Sequence, residues 1–298
     1  NDRLTDEAVD FLRKNQRKPF LLVLAHYAVH TPFQAPEEMV AAARKRLGDR
    51  PEGGTWKDPD FKTSGGATDK TAQNNPVYAA MVKSMDDSVG RVLAALDALG
   101  LADNTLVILT SDHGGLSTRG AESGRPLATS NRPYRHGKGW LYDGGLRVPM
   151  IVRWPKVVGP GKTSAQTLGT DHYATILEAV GLKPDPAEAV DSVSYLPALR
   201  GMPHDRGAML FHSPRARPQS TGDRNASAVI DGRWKLYQHH DGGVELYNLQ
   251  ADPGELRDLS GTDQAKAAEL EALLKKLKTE AQAREGGRNP FDRPKKQQ

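Results

Sequence analysis

Two short apolar runs, each joined to a glycine-rich polar cluster between Asn104 and Trp154, constrain this 298-residue chain more than any other feature. The first, Thr105-Leu-Val-Ile-Leu-Thr110, is aliphatic and β-branched and reads as a strand. It breaks into Ser111-Asp112-His113-Gly114-Gly115, which sets a carboxylate and an imidazole at the strand's carboxyl end. The second cluster, Arg135-His136-Gly137-Lys138-Gly139-Trp140-Leu141-Tyr142-Asp143-Gly144-Gly145, feeds another strand-like stretch from Leu146 to Trp154. Ligands of open α/β sheets collect at the carboxyl ends of the strands. Both clusters are therefore candidate sites.

Helical periodicity and stop signals organise the rest of the first two thirds. Leu4 to Asn15 predicts an amphipathic helix, with Val9, Phe11 and Leu12 on its apolar side, and Glu37 to Leu47 a second one. Gly48 to Asn75, rich in Gly, Pro, Asp and Thr, predicts a long surface loop. Pro76 to Leu99 predicts a long helix stopped by Gly100, its methionines in the core, and Asp171 to Val180 a shorter one capped by Thr170 or Asp171. Helices alternating with the strands from Thr105 and Arg147 predict crossover connections and a mostly parallel sheet flanked by helices. From Arg206 the pattern changes to short strands at Ala208 to Phe211, Ser227 to Ile230, Trp234 to Gln238 and Val244 to Leu246, separated by Asp-Gly turns. A helix from Gln264 to Arg284 closes this small antiparallel sheet, and the tail beyond Gly286 is expected to be loose. The expected domains are 1–205, an α/β domain, and 206–298, an α+β subdomain.

Composition excludes several classes. The chain has no cysteine, so it has neither disulfides nor thiolate metal sites. No apolar run approaches the roughly 18 residues that a membrane span needs. The net charge of +4 owes much to the tail residues Arg288, Arg293, Lys295 and Lys296, which argues against nucleic acid as a partner.

The run T-S-D-H-G-G, followed by G-K-G-W-L-Y-D-G-G-L-R-V-P, resembles the type I sulfatases of the alkaline-phosphatase superfamily. Pro19 to Pro32, a strand ending in His30-Thr31-Pro32, is similar to a third block of that family. Leu236-Tyr237, Glu245 to Leu249 and Asp252-Pro253-Gly254-Glu255 are similar to its C-terminal subdomain. The resemblance implies an alkaline-phosphatase-like α/β fold with a small C-terminal subdomain, and hydrolysis of sulfate esters. One departure is plain: the family's C/S-x-P-x-R segment, whose cysteine or serine becomes the formylglycine nucleophile, is absent. Ser213-Pro214-Arg215 has the wrong spacing and lies too far downstream. The paired calcium-binding aspartates of the family's N-terminus have no counterpart either. The expectation is thus a C-terminal portion of a sulfatase, inactive by itself.

The resemblance also implies roles for individual residues. Asp112 and His113 become ligands of Ca²⁺, a hard cation that favours oxygen, although an imidazole is a softer ligand. Lys138, between two glycines, becomes the point charge on a sulfate oxygen and on the leaving-group oxygen. His30 becomes a sulfate contact and the acid that protonates the leaving group. His26 reads as a core histidine, and Asp143 with Arg147 as a structural ion pair. His136 and His212 are candidates to face a bound sugar. The implied substrate is a sulfated carbohydrate or aryl sulfate, and the implied compartment periplasmic or secreted. Two alternatives remain open: a phosphodiesterase or phosphonate monoester hydrolase of the same superfamily, and a non-catalytic chain that binds sulfated glycan.

Overall fold

The computed structural model describes residues 1–48, 54–58, 66–188 and 191–284. In chain order they form helices α1 (Asp2–Asn15) and α2 (Glu37–Leu47), strands β1 (Thr55–Lys57) and β2 (Thr68–Lys70), and helix α3 (Pro76–Ala98). Strands β3 (Val107–Thr110), β4 (Thr118–Arg119) and β5 (Met150–Arg153) follow, then helix α4 (Asp171–Ala179). Strands β6 (Met209–Ser213), β7 (Ala226–Asp231), β8 (Trp234–His239) and β9 (Val244–Asn248) precede the last helix, α5 (Gln264–Glu280). The expected loose tail lies outside the described residues.

Two compact units emerge, each discontinuous in sequence. One comprises residues 1–53, 73–110 and 149–204, and the other 54–72, 111–148 and 205–298.

In the first unit, Asn75 caps α3 by accepting from the Tyr78 amide, Pro76 starts the helix where no N–H is needed, and Gly100 ends it at a φ of 68°. Val40 and Ala43 of α2 pack against Ala80 of α3. Thr5 of α1 meets Ser88 of α3 through a buried hydroxyl pair at 2.5 Å. Strands β3 and β5 pair antiparallel, from Val107 opposite Arg153 to Thr110 opposite Met150. For this pair the expected parallel direction does not hold: the chain leaves β3, makes the excursion 111–148 and returns along β3 in the opposite direction. Every strand pair among the described residues is antiparallel. The stretch from Phe20 to Tyr27 has the alternation of a strand, with Leu21, Val23 and Tyr27 exposed and Phe20 edge-on to Phe11 at 6.0 Å. It forms no ladder with any described strand, because a period of two supplies faces and not partners. Asp171 opens α4 without capping it: its buried carboxylate accepts from the amides of Leu168 and Val193 and so ties two loops to the helix start.

In the second unit, β6 to β9 form a four-stranded antiparallel meander. Helix α5 covers one face, where Ala267, Leu270 and Leu274 pack on Val229, Leu236 and Leu246. Each fully buried leucine stabilises by roughly 1.5–3 kcal/mol. The segment expected to be a surface loop contributes β1 and β2, which form a sheet with β4, and carries buried Asp58 and Asp69. Turn-rich composition hid these strands. Asp58 tolerates burial because Arg135 faces it, and Asp69 because the Thr118 hydroxyl and the His136 amide donate to it.

Candidate functional site

The Asp-His-Gly-Gly turn and the lysine loop, 20 residues apart in sequence, are joined directly through backbone in the second unit. The Lys138 amide donates to the Gly115 carbonyl at 3.1 Å, and the Gly114 amide donates to the Gly145 carbonyl at 2.9 Å. Such closeness explains the glycines. A Cβ at Gly114 would collide with the Gly144 carbonyl, and one at Gly137 with the Gly115 carbonyl. Asn131 is the fastener, its side-chain nitrogen lying 2.9 Å from the carbonyls of Gly115 and Gly144, 2.9 Å from Ser117 Oγ and 3.1 Å from the His136 carbonyl. An amide has two N–H groups, so it serves these four oxygens in shared, bent bonds.

Lys138 is half-buried in this frame, and its Nζ has no hydrogen bond or ion pair among the described residues. Asp112 and His113 sit at the mouth of the turn, with side chains 79% and 37% exposed. The His113 Nδ1 lies 2.9 Å from the Gly114 carbonyl, and its Nε2 lies 3.0 Å from Asp112 Oδ2. One carboxylate and one imidazole nitrogen thus converge. Calcium takes six to eight oxygens, and among the described residues no three His, Cys, Asp or Glu side chains gather into a metal-holding group. The described residues by themselves do not fit a calcium site.

His136 is not open to a sugar, contrary to the sequence reading. It is 1% exposed, with Nδ1 at 3.0 Å from Asp69 Oδ1 and Nε2 at 3.2 Å from Asp58 Oδ2. Burial disfavours the charged ring, but the bonds to Asp58 and Asp69 outweigh it, with Arg135 opposing, and the imidazole pKa is raised above 6.5. His212, on β6, also has both ring nitrogens engaged, Nδ1 with Ser227 Oγ at 2.8 Å and Nε2 with the Arg284 carbonyl at 2.8 Å. A sugar would have to displace one of these partners. His30 belongs to the first unit. It is exposed, and its Nδ1 lies 2.8 Å from the Thr31 carbonyl, which leaves Nε2 for a ligand. His26 is half-buried, 3.4 Å from Ser88 Oγ, with its pKa lowered by burial.

Beneath the lysine loop lies a buried ionic layer. Arg135 pairs with Asp58 at 2.6 Å and lies over the Tyr142 ring, which stacks on Tyr237. Glu245 accepts from Tyr142, Tyr247 and His239. Lys235 stands between Asp143 at 3.1 Å and Glu255 at 2.7 Å, and Glu255 also accepts from the Asp143 amide. Burial pushes the Asp143 carboxyl up, but Lys235 and Arg147 outweigh it and hold it below 3.8. For Glu255 burial wins, and its carboxyl is raised above 4.5 despite Lys235. The expected pair of Asp143 with Arg147 is present at 3.0 Å.

The profile of the Sulfatase family matches residues 1–182, and that of the N-sulphoglucosamine sulphohydrolase C-terminal region matches residues 134–284. The chain belongs to the sulfatase family. Among sulfatases of known name it is 36% identical to mouse steryl-sulfatase over 79% of this chain and 32% of that one. It is 27% identical to the N-acetylgalactosamine-6-O-sulfatase of Bacteroides thetaiotaomicron over 93% of this chain and 51% of that one. The crystal structure of Ps i-CgsB in complex with k-i-k-neocarrahexaose superposes with a TM-score of 0.71 at 28% identity, covering 93% of this chain and 54% of that one. The sulfatase α/β fold is thereby established. This sulfatase chain spans about a third to a half of the length of these curated relatives. Sulfatases in general use a metal ion and a formylglycine. No described helix is long and apolar enough to cross a membrane.

Asn131, Ser117, Asp58 and Asp69 escaped sequence reasoning. The only sequence trace of the last two is an acidic residue within or beside a short strand-forming triplet, Thr55-Trp56-Lys57-Asp58 and Thr68-Asp69-Lys70.

Proposed function

We propose that this chain carries the anion-binding half of a sulfate-ester hydrolase that acts on sulfated carbohydrates in the periplasm or outside the cell. The observation that carries the reading is Lys138: a half-buried amine with no partner among the described residues, whose backbone is fastened to the Asp-His-Gly-Gly turn. Held there, its charge is available to neutralise a sulfate oxygen and the oxygen that leaves, at no cost of loop ordering during the reaction. His30 Nε2 is the proposed proton donor to that leaving oxygen. Asp112 and His113 are proposed as two ligands of a calcium ion that needs further oxygens from elsewhere. The formylglycine nucleophile is likewise expected outside these residues. The carbohydrate substrate is favoured by the sulfated-sugar sulfatase among the relatives and by the oligosaccharide-bound neighbour.

The test is substrate preference in an active, formylglycine-bearing form of the protein. Nitrophenyl sulfate and sulfated oligosaccharides should turn over faster than a nitrophenyl phosphodiester. Faster phosphodiester hydrolysis would replace this reading with the superfamily's phosphatase branch.

A further inference from the structure

His136 lies two residues before Lys138 in the left-handed region, at a φ of 58°, a conformation that non-glycine residues seldom adopt without support. Everything around it supplies that support. Its amide donates to Asp69 Oδ2 at 3.2 Å, and its carbonyl accepts from Ser117 Oγ at 2.9 Å and from Asn131. The ring lies 4.1 Å from the Trp140 ring, on the far side of Lys138 in sequence, so one imidazole spans the whole Gly137-Lys138-Gly139 bridge. Trp140 is fixed in turn by its indole N–H, which donates to the Thr221 carbonyl at 2.9 Å.

Asp58 and Asp69 are themselves anchored, Asp58 by Arg135 Nε at 2.9 Å and Nη2 at 2.6 Å, Asp69 by Thr118 Oγ1 at 2.6 Å. Among the described residues, the ionisable groups facing the ring are these two carboxylates, the opposing Arg135 and the Tyr142 phenol. Nδ1 is hydrogen-bonded to Asp69, and Nε2, sealed in and without an aligned hydrogen-bond partner, lies 3.2 Å from the Asp58 carboxylate, so only an imidazolium turns a positive edge to both carboxylates. A neutral ring would turn one contact into a repulsion between lone pairs in a dry setting.

We propose that His136, as an imidazolium wedged between Asp58 and Asp69 and packed against Trp140, is the positioning residue that holds the Lys138 loop in its anion-binding conformation. The inference rests on the reading of Lys138 as the sulfate-binding group. It implies that the lysine is ordered at neutral pH and that its loop loosens at alkaline pH, since a charge clamp on a group with a raised pKa is complete below the ordinary value and lost as pH rises through the folded one.

The test uses this chain and needs no turnover. Imidazole nitrogen NMR should show both His136 nitrogens protonated at neutral pH, with deprotonation well to the alkaline side. Exchange of the Lys138 and Gly144 amides, whose bonds close the loop, should accelerate through that same titration by about tenfold beyond the change in intrinsic rate, on the scale of one charged hydrogen bond. Amides of β7 and β8 in the same samples serve as the reference for global opening. Asp69→Asn keeps the shape, weakens the clamp, and should move the His136 titration and the Lys138 exchange step together to lower pH. His136→Gln should abolish the step. A neutral His136 at neutral pH would overturn the proposal, and so would loop exchange that ignores its titration or tracks the sheet amides alone. Because no substrate is involved, these outcomes are separable from a failure of the sulfatase reading.

Discussion

Lys235→Met should cost the second unit about 3–5 kcal/mol, the usual penalty for removing one partner from a buried ion pair. Lys235 is fully buried, with Nζ 3.1 Å from Asp143 Oδ1 and 2.7 Å from Glu255 Oε1. Methionine keeps the length of the stem and removes the charge, which leaves two carboxylates facing each other in a dry core. The loss is capped by protonation. Glu255 is already raised above 4.5 by burial, and without Lys235 it rises further, while Asp143 keeps Arg147. Above that ordinary value the variant must therefore either bury an unpaired carboxylate or take up a proton, so its deficit should grow as pH rises from mildly acidic to neutral. Adding Glu255→Gln should recover part of the loss. Urea unfolding followed by circular dichroism gives the free energy, with the slope checked against wild type. In melting temperature the loss corresponds to roughly 6–20 °C for a unit of this size. A deficit under about 1 kcal/mol, the range of exposed pairs, or one that does not change with pH, would refute the buried ionic layer.

His30→Ala, in an active form of the protein, should slow hydrolysis of alkyl sulfates far more than that of nitrophenyl sulfate, whose leaving group needs no proton. Equal losses would leave His30 a binding role only. Calorimetry and elemental analysis should find that residues 1–298 alone hold calcium weakly, because Asp112 and His113 provide two of the six to eight ligands required. Tight stoichiometric calcium on this chain would show that further ligands lie within it.

How much of this was legible depends on the reach of each signal. Helices α2 and α3 and the strands of the C-terminal sheet follow from local periodicity and turn residues, and the structure places them within a few positions of the reading. Both clusters stood in the sequence as separate candidate sites, with glycines beside Lys138 that let backbone approach closely; their joining through the backbone of Gly114, Gly115 and Gly145 did not. What stayed hidden was long-range charge. Asp69 is 67 residues from His136, and nothing local distinguishes a buried carboxylate from a solvated one in a turn-rich stretch. His136 was therefore read as a sugar contact when its ring is sealed. Strand direction was hidden too, since apolar runs do not encode which neighbour they pair with, and β3 with β5 proved antiparallel.

The most direct test of the central claim is Lys138→Ala in an active, formylglycine-bearing form, with sulfate-ester turnover as the readout. Loss of a preorganised donor to the reacting sulfate should lower kcat by about 10²-fold or more, with the fold intact by circular dichroism. A variant that keeps wild-type kcat and suffers only in KM, or in nothing, would contradict the assignment of Lys138 to the sulfuryl group.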